Sequence, residues 1–178
     1  MSNLSRDSVV AAALRIADEE GLERASFRRI AEELGVTPMA LYRHVDDKDD
    51  LLDGMADRVY AELPVPEAEG DWWAELVALA RSTRRALLRH PSALTLFARP
   101  QPGPHEERLA GALLATLRCA GFDEGEAAEL HEQLTQMVFA LIVPDIGQTR
   151  TRTRARASAF ERGLSLLEAG LRARLAGR

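Results

Sequence analysis

The apolar residues of this 178-residue chain recur at intervals of three and four, and this spacing constrains its fold more than any other feature. Residues three or four apart lie on one face of an α-helix, whereas a strand with one buried face alternates apolar and polar residues. Valine, isoleucine and threonine rarely alternate with polar residues here. The sequence therefore predicts an all-α fold with no strand pair and no internal repeat.

Glycine, proline and capping residues divide the chain into short helices. Gly21 and Gly35 are predicted to end the first two helices, Ser26 to cap the second, and Thr37 followed by Pro38 to open a third that reaches about His44. A fourth helix follows, and later ones are predicted at about 72–89, 105–120, 123–142 and 158–175, with a short one after residue 91. The proline- and glycine-containing stretch 63–71 predicts a linker between domains of residues 4–64 and 71–178.

Composition excludes several classes of protein. The net charge of −5 argues against a protein that coats nucleic acid non-specifically, so any DNA contact would need a local basic surface. A single cysteine, Cys119, cannot form an intrachain disulfide. The start of the chain lacks a basic stretch followed by an apolar run, and no run approaches the roughly 20 apolar residues of a membrane span. We expect a cytoplasmic protein without a signal peptide or membrane segment.

The segment from Ser26 to Lys48, SFRRIAEELGVTPMALYRHVDDK, has the pattern of a helix-turn-helix, in which the second helix enters the major groove of DNA. The predicted inward side chains are Ile30, Ala31, Leu34, Val36, Leu41 and Val45. The predicted outward side chains of the third helix are Thr37, Pro38, Met39, Tyr42, Arg43 and His44. An exposed row of tyrosine, arginine and histidine is unusual on an ordinary solvated helix. The pattern therefore predicts an N-terminal three-helix DNA-binding domain.

The same segment resembles the tetracycline-repressor (TetR) family. The matching residues, in order and without a gap, are Ala31, Leu34-Gly35-Val36, Leu41-Tyr42, His44-Val45, Lys48 and Leu51-Leu52. Later segments resemble the effector domain of the tetracycline repressors, at Arg99-Pro100-Gln101, Gly121-Phe122 and SAFERGLSLLEAGL from Ser158. The resemblance implies a homodimer that binds a palindromic double-stranded operator. It also implies that a small molecule entering a C-terminal ligand-binding and dimerisation domain releases the DNA.

Roles for single residues follow from the resemblance. Tyr42 and His44 match positions that hold the DNA backbone, and Lys48 matches a backbone-contacting lysine at the start of the fourth helix. The residues at positions that face bases or their near neighbours are Arg28, Pro38, Met39, Ala40 and Arg43. Thr95 stands where the tetracycline repressors place a histidine that holds the drug-bound magnesium, and Pro64 lies near another of their drug-contacting histidines. An effector other than tetracycline is therefore expected.

The effector site is expected inside the C-terminal domain. Its predicted lining is Trp73, Leu76, Thr95, Phe97, Leu113, Leu117, His131, Gln133, Gln136, Met137 and Phe139. This set carries few charges, and burying a charged ligand without a partner would be costly. The sequence thus predicts a drug-sized, largely apolar and uncharged effector, bound without magnesium or any other cofactor.

Several features allow a second interpretation. Arg28 and Arg29 could be solvated charges, and Tyr42 could belong to the core. The cluster Arg150, Arg152, Arg154 and Arg156 favours a flexible solvated loop over a second DNA or anionic-ligand contact. His131, Gln133 and Gln136 could line a pocket or an exposed face. The apolar stripes of the last two helices, 130–141 and 160–175, fit an intrachain core or the two-fold four-helix bundle that the family plan favours.

Catalytic and metal-binding patterns are incomplete. His105-Glu106 and His131-Glu132 each begin an HExxH zinc pattern, but Leu109 and Thr135 stand where the second histidine belongs. The sequence has no GxSxG, phosphate-binding glycine loop or Cys/His cluster. We therefore predict no enzyme and no metal site. The alternatives are a regulator controlled by a protein partner, its pocket filled by its own side chains, and, less favoured, a helical enzyme.

Overall fold

The computed structural model describes residues 4–68, 70–99, 103–146 and 153–177. These ranges contain nine α-helices: α1 (Arg6–Glu20), α2 (Phe27–Leu34), α3 (Pro38–Leu41), α4 (Lys48–Tyr60), α5 (Trp72–Arg89), α6 (Ala93–Leu96), α7 (Pro104–Cys119), α8 (Glu124–Ile142) and α9 (Thr153–Ala176). Short 3₁₀ turns follow α1 and α8, and the described ranges contain no strand. The predicted all-α class with an N-terminal helix-turn-helix is confirmed.

Side-chain caps set several of these boundaries. Ser26 accepts a hydrogen bond from the backbone of Arg29 at the start of α2, and Asp47 accepts one from the backbone of Asp50 at the start of α4. Asp123 forms a reciprocal capping box at the start of α8. Gly35 ends α2 with φ of 66°, in the left-handed region that favours glycine. The tight turn of the helix-turn-helix therefore depends on this one glycine.

Two predicted boundaries are wrong. α3 ends at Leu41 rather than near His44, because the next residues turn so that Val45 enters the core, and Thr37 makes no side-chain cap. α9 begins at Thr153 rather than near Ser158, so the backbone of Arg154 and Arg156 is helical and not a loop. Alanine and arginine are strong helix formers, which accounts for the longer helix. The other two arginines of that cluster, 150 and 152, lie outside the described residues.

The described residues form two compact units. The first holds those up to Glu62 together with Arg89–Glu107, and the second holds Leu63–Leu88 and those from Arg108 onward. The segment Arg89–Glu107 belongs to the first unit because it packs on α1 and α4. The structural units are thus discontinuous in sequence, whereas the predicted domains were continuous. The assignment of DNA binding to residues 4–64 and ligand binding to 71–178 stays a prediction.

Each unit has its own apolar core. The core of the first unit includes Val9, Ile16, Ile30, Leu41, Leu51 and Met55. The core of the second unit consists of Leu76, Leu113, Leu117, Phe122, Ala127, Leu130, Leu134 and Leu171. Five residues of the apolar stripes of α8 and α9 are buried within one chain: Leu130, Leu134, Phe160, Leu164 and Leu171. Among the described helices, none is both long and apolar enough to cross a lipid bilayer.

Candidate functional site

Helix α3 presents the predicted DNA-reading side chains to solvent. Its buried residue Leu41 and the following Val45 anchor it in the core of the first unit. Met39 is 74% exposed, and Arg43 is exposed too. Thr37 and Pro38 are exposed, whereas Ala40 and His44 are partly buried. The structure therefore brings this predicted set together at one short helix and the turn that follows it.

Tyr42 packs against a neighbouring ring and is also partly accessible to solvent. Its ring stacks on Phe27 of α2, with 4.7 Å between centroids and 5° between planes. The residue is nevertheless 48% exposed. The stack fixes one face of the ring and leaves the rest of the side chain accessible, an arrangement suited to a hydroxyl that donates to a phosphate oxygen.

The two arginines of α2 differ in their partners. Arg28 is exposed, and its ion-pair partner among the described residues is Glu32, one turn along the same helix, at 3.1 Å. Arg29 contacts Glu20 at 2.7 Å and Glu33 at 2.9 Å, and these carboxylates raise the pKa of its guanidinium. Arg29 therefore joins α2 to the end of α1, whereas Arg28 is placed for an external anion. An exposed ion pair within one helix is weak and easily exchanged.

Lys48, the first residue of α4, points its ammonium group back toward the chain that precedes α2. Its Nζ donates a hydrogen bond to the carbonyl oxygen of Ala25. Burial lowers the pKa of this lysine from its ordinary value. A lysine at this position holds two segments of the helix-turn-helix together as well as carrying a positive charge near its surface.

One polar contact of this region was missed by sequence reasoning. Arg6, the first residue of α1, forms a two-pronged ion pair with Asp50 of α4 at 2.6 and 2.7 Å. The same guanidinium donates to the carbonyl oxygen of His44 at 3.3 Å. The available signal was a positive side chain at a helix N-terminus, where the helix dipole disfavours it unless a partner compensates.

The predicted effector residues do not all come together. Leu113 and Leu117 belong to the core cluster of the second unit, and Trp73 packs against it. Phe97 instead lies in the first unit, where its ring stacks on Tyr60 with 4.1 Å between centroids. Thr95 is exposed in the same unit. The placement of both in the C-terminal body is corrected, because the segment that carries them packs on α4.

The remaining predicted residues lie on α8. Met137 is 47% exposed, Gln133 and Gln136 are exposed, and Phe139 is partly buried. His131 is partly buried, and its burial lowers the pKa of its imidazole. No group of three or more His, Cys, Asp or Glu side chains in the described ranges is arranged to hold a metal ion.

A cleft of about 260 Å³ opens in the second unit between α5 and α9. Trp73 is the one predicted effector residue in its lining. The rest of the lining is Asp71, Ala74, Val77, Arg81, Glu161, Leu164, Ser165, Glu168 and Arg172. Arg81 pairs with Glu161 at 2.7 Å, and Arg172 pairs with Glu168 at 2.9 Å. This cleft is charged, unlike the apolar pocket predicted from the sequence.

Comparison with known proteins matches both parts of the chain to one family. Residues 9–55 match bacterial regulatory proteins of the tetR family, and residues 63–159 match the tetracyclin repressor-like C-terminal domain. The transcriptional repressor DrrR1 of Streptomyces coeruleorubidus is 44% identical over 126 residues, which cover 69% of this chain and 47% of the relative. The chain spans less than two thirds of the length of the first curated relatives that it matches.

Solved structures match nearly the whole chain. The Streptomyces coelicolor TetR family protein ActR, in complex with actinorhodin, is 29% identical with a TM-score of 0.81, and the match covers 99% of this chain and 98% of that one. BioQ with its double-stranded DNA operator is 30% identical with a TM-score of 0.77, and the match covers 96% and 99%. These matches agree with the fold and with the helix-turn-helix described above.

Proposed function

This chain belongs to the TetR family of bacterial regulatory proteins, and we propose that it represses transcription by binding a palindromic operator as a homodimer. The predicted family and its class, a transcriptional regulator rather than an enzyme, are confirmed by these matches. A small molecule bound by the second unit is proposed to release the operator. We place this activity in the cytoplasm, because bacterial chromosomal DNA lies there.

The observation that supports operator binding most directly is the exposure of Met39, Tyr42 and Arg43 around α3. An apolar side chain that is 74% exposed contributes little to the core and is accessible to a ligand. Met39 lies close to the exposed Arg43 in sequence, at α3 and the turn after it, and this pair of side chains fits base reading. Arginine donates hydrogen bonds to guanine, and an apolar group contacts the methyl group of thymine.

Selection from random duplexes tests this proposal. The protein should enrich an inverted repeat whose half-site centres lie about 34 Å, or one helical turn, apart, or a multiple of that distance. Affinity should fall steeply with salt, because each neutralised phosphate releases counterions. Enrichment of only asymmetric or single-stranded sites would contradict the dimeric operator.

The proposed effector is drug-sized, largely apolar and uncharged, and needs no magnesium. Support comes from Trp73, a partly buried apolar side chain that lines the cleft of the second unit, and from Thr95, which by the family resemblance stands where the tetracycline repressors have a metal-binding histidine. The relative ActR, described with actinorhodin, is an example of a family member bound to a small molecule.

A thermal-shift screen of metabolites and drugs tests the effector. A ligand that binds only the folded state raises the melting temperature by mass action. The same compound should release operator DNA in the presence of a chelator, and Met137→Ala or Phe139→Ala should weaken both effects without changing DNA affinity in its absence. An effector that acts only with a divalent cation would contradict the proposal.

Control by a protein partner is the second candidate. It is favoured by the complete burial of Leu117 and the near-complete burial of Leu113, which leave little space among the predicted lining residues. A screen that finds no stabilising compound, together with a protein that releases the operator, would favour this candidate over the first.

A further inference from the structure

Arg6 lies at the first position of α1, yet its contacts reach the end of the predicted DNA-reading segment, residues 37–44. Its Nη1 and Nη2 donate to the two carboxylate oxygens of Asp50 at 2.7 and 2.6 Å. They also donate to two backbone carbonyls, those of His44 and Asp50, each at 3.3 Å. One side chain therefore satisfies acceptors on both sides of the turn that joins α3 to α4.

Asp50 also forms hydrogen bonds with the residues of the same turn. Its Oδ2 accepts a hydrogen bond from the backbone N–H of Asp46 at 2.9 Å, and its own N–H donates to Asp47 at 2.8 Å. The neighbouring guanidinium holds the pKa of the Asp50 carboxyl below its ordinary value. The residues between α3 and α4 are thus fixed by one carboxylate, which is itself fixed by Arg6.

The fold makes room for this arrangement at Gly54. A Cβ at that position would lie 3.3 Å from Nη2 of Arg6 and 2.9 Å from Cγ2 of Val10. Without a side chain there, α4 approaches α1 closely and the guanidinium lies against the helix. Helix geometry gives no other reason for an arginine at this point, since a cation at a helix N-terminus opposes the helix dipole.

α3 depends on such external support because it is so short. It spans only Pro38–Leu41, and the residues after it form a turn. Four residues make too little helix to hold a fixed orientation alone. The orientation of Arg43 and His44 therefore depends on the contacts that hold the turn. Two of these contacts are hydrogen bonds to its backbone: Arg6 donates to the carbonyl of His44, and Asp50 accepts from the N–H of Asp46.

We infer that Arg6 is a positioning residue for operator recognition: it acts through Asp50 and the His44 carbonyl to set the orientation of the reading segment. The inference rests on the proposed operator binding. The guanidinium is already engaged by four acceptors, so we expect it to act through them rather than as a DNA contact in its own right. Loss of Arg6 should misplace the base-reading side chains more than it weakens general attraction to DNA.

The test compares Arg6→Gln with a matched control, Arg15→Gln. Arg15 also lies on α1 and also pairs with a neighbouring helix, through Glu33 at 2.7 Å, but it bonds no backbone of the reading segment. The two arginines are similarly exposed, 46% for Arg6 and 50% for Arg15. Each variant, and Arg6→Lys, is assayed for affinity to the selected operator and to an unrelated duplex, over a range of salt, at a temperature where melting curves show it folded.

Arg6→Gln should lose about tenfold in operator affinity, the order of one base contact, with a much smaller loss on the unrelated duplex and an unchanged salt slope. Arg6→Lys, which keeps the charge but loses the two-pronged geometry, should fall between the two. Asp50→Asn added to Arg6→Gln should cost little more than Arg6→Gln alone, because both act through one contact. Arg15→Gln should leave the ratio of the two affinities unchanged.

Three results would overturn the inference. A salt slope that falls by about one in Arg6→Gln would make Arg6 a direct phosphate contact. An unchanged ratio of operator to unrelated affinity in Arg6→Gln would give it no role in recognition, and an equal change in Arg15→Gln would make the effect a general consequence of losing an α1 ion pair. If the unaltered protein selects no duplex, the proposed function fails first, and that outcome is distinct from all three.

Discussion

At the scale of single residues, Arg43 and Lys48 are two cations of the helix-turn-helix region that differ in their surroundings. Arg43 is exposed on the turn after α3, and no carboxylate of the described residues pairs with it. Lys48 is tied to the carbonyl of Ala25. An arginine without an internal partner keeps all its donors for a guanine edge, whereas a tethered lysine can offer phosphate only a nearby charge.

Arg43→Ala and Lys48→Ala should therefore change binding in different ways. Loss of Arg43 should relax sequence preference at one operator position, by about 1–3 kcal/mol. Loss of Lys48 should weaken all sequences alike and reduce the salt slope by about one. Competition binding against single-base operator variants at several salt concentrations measures both effects. Uniform loss in both variants, with preference unchanged, would show that Arg43 does not read bases.

At the scale of the helices, the sequence predicts best where local chemistry decides. The caps Ser26 and Asp123 and the glycine at position 35 were predictable because they act on their own neighbours. The early end of α3 was not, since burial of Val45, a tertiary effect, ends that helix. The spacing of the apolar residues predicted the exposed reading surface. It did not predict the contacts of Arg6, because its partner Asp50 lies 44 residues away.

The segment Arg89–Glu107 shows the same limit. Its spacing predicted a short helix, but only its partners place it in the first unit. Arg99 contacts Asp53 and, at 2.9 Å, Asp49, while His105 contacts Asp57 at 2.8 Å. The three aspartates recur every four residues along α4, so they form one acidic row. That row could be read from the sequence, but its basic partners, at least 46 residues away, could not be assigned.

Arg99→Gln tests how strongly this segment is attached. Arg99 is largely buried, and its pairing with Asp53 raises the pKa of its guanidinium. Its loss should lower the free energy of unfolding by about 1–3 kcal/mol, the usual effect of leaving a partly buried charge without its partner. Chemical denaturation measures the change. In the matched control, Arg28→Gln removes an exposed pair within α2 and should cost well under 1 kcal/mol. Equal losses in the two variants would contradict the attachment.

Helix α8 should give the protein a pH-dependent stability through His131. Burial lowers the pKa of this imidazole below the ordinary 6.5, so the unfolded chain takes up the proton first as the solution is acidified. The contribution to stability is present above about pH 6.5 and is lost progressively below it. Denaturation between about pH 7.5 and 5 should show a smaller decline for His131→Gln than for the unaltered protein. Identical declines would show that burial of His131 does not affect stability in this range.

At the scale of the whole molecule, an acidic protein must present a local positive surface to bind DNA. The net charge is −5, and Arg6, Arg15 and Arg29 are already occupied by carboxylates within the first unit. Arg28, whose ion pair with Glu32 is exposed, and Arg43 lie on the exposed side of the helix-turn-helix. A single DNA-binding unit with so few available cations would bind DNA weakly, because affinity for DNA grows with the number of phosphates neutralised. A dimer would present two DNA-binding units and would therefore neutralise more phosphates.

The proposed dimer should depend on Leu166. Leu166 of α9 is 75% exposed, the most exposed of the large apolar side chains described, and is therefore accessible to a partner subunit. Leu166→Arg should shift the protein toward monomer in analytical ultracentrifugation and lower operator affinity steeply, since each isologous interface would bury two unpaired charges. Leu88→Arg is the control, because Leu88 is also exposed, at 39%, but lies on α5. A dimer that tolerates Leu166→Arg, or one lost equally in Leu88→Arg, would show that the subunits do not associate through this part of α9.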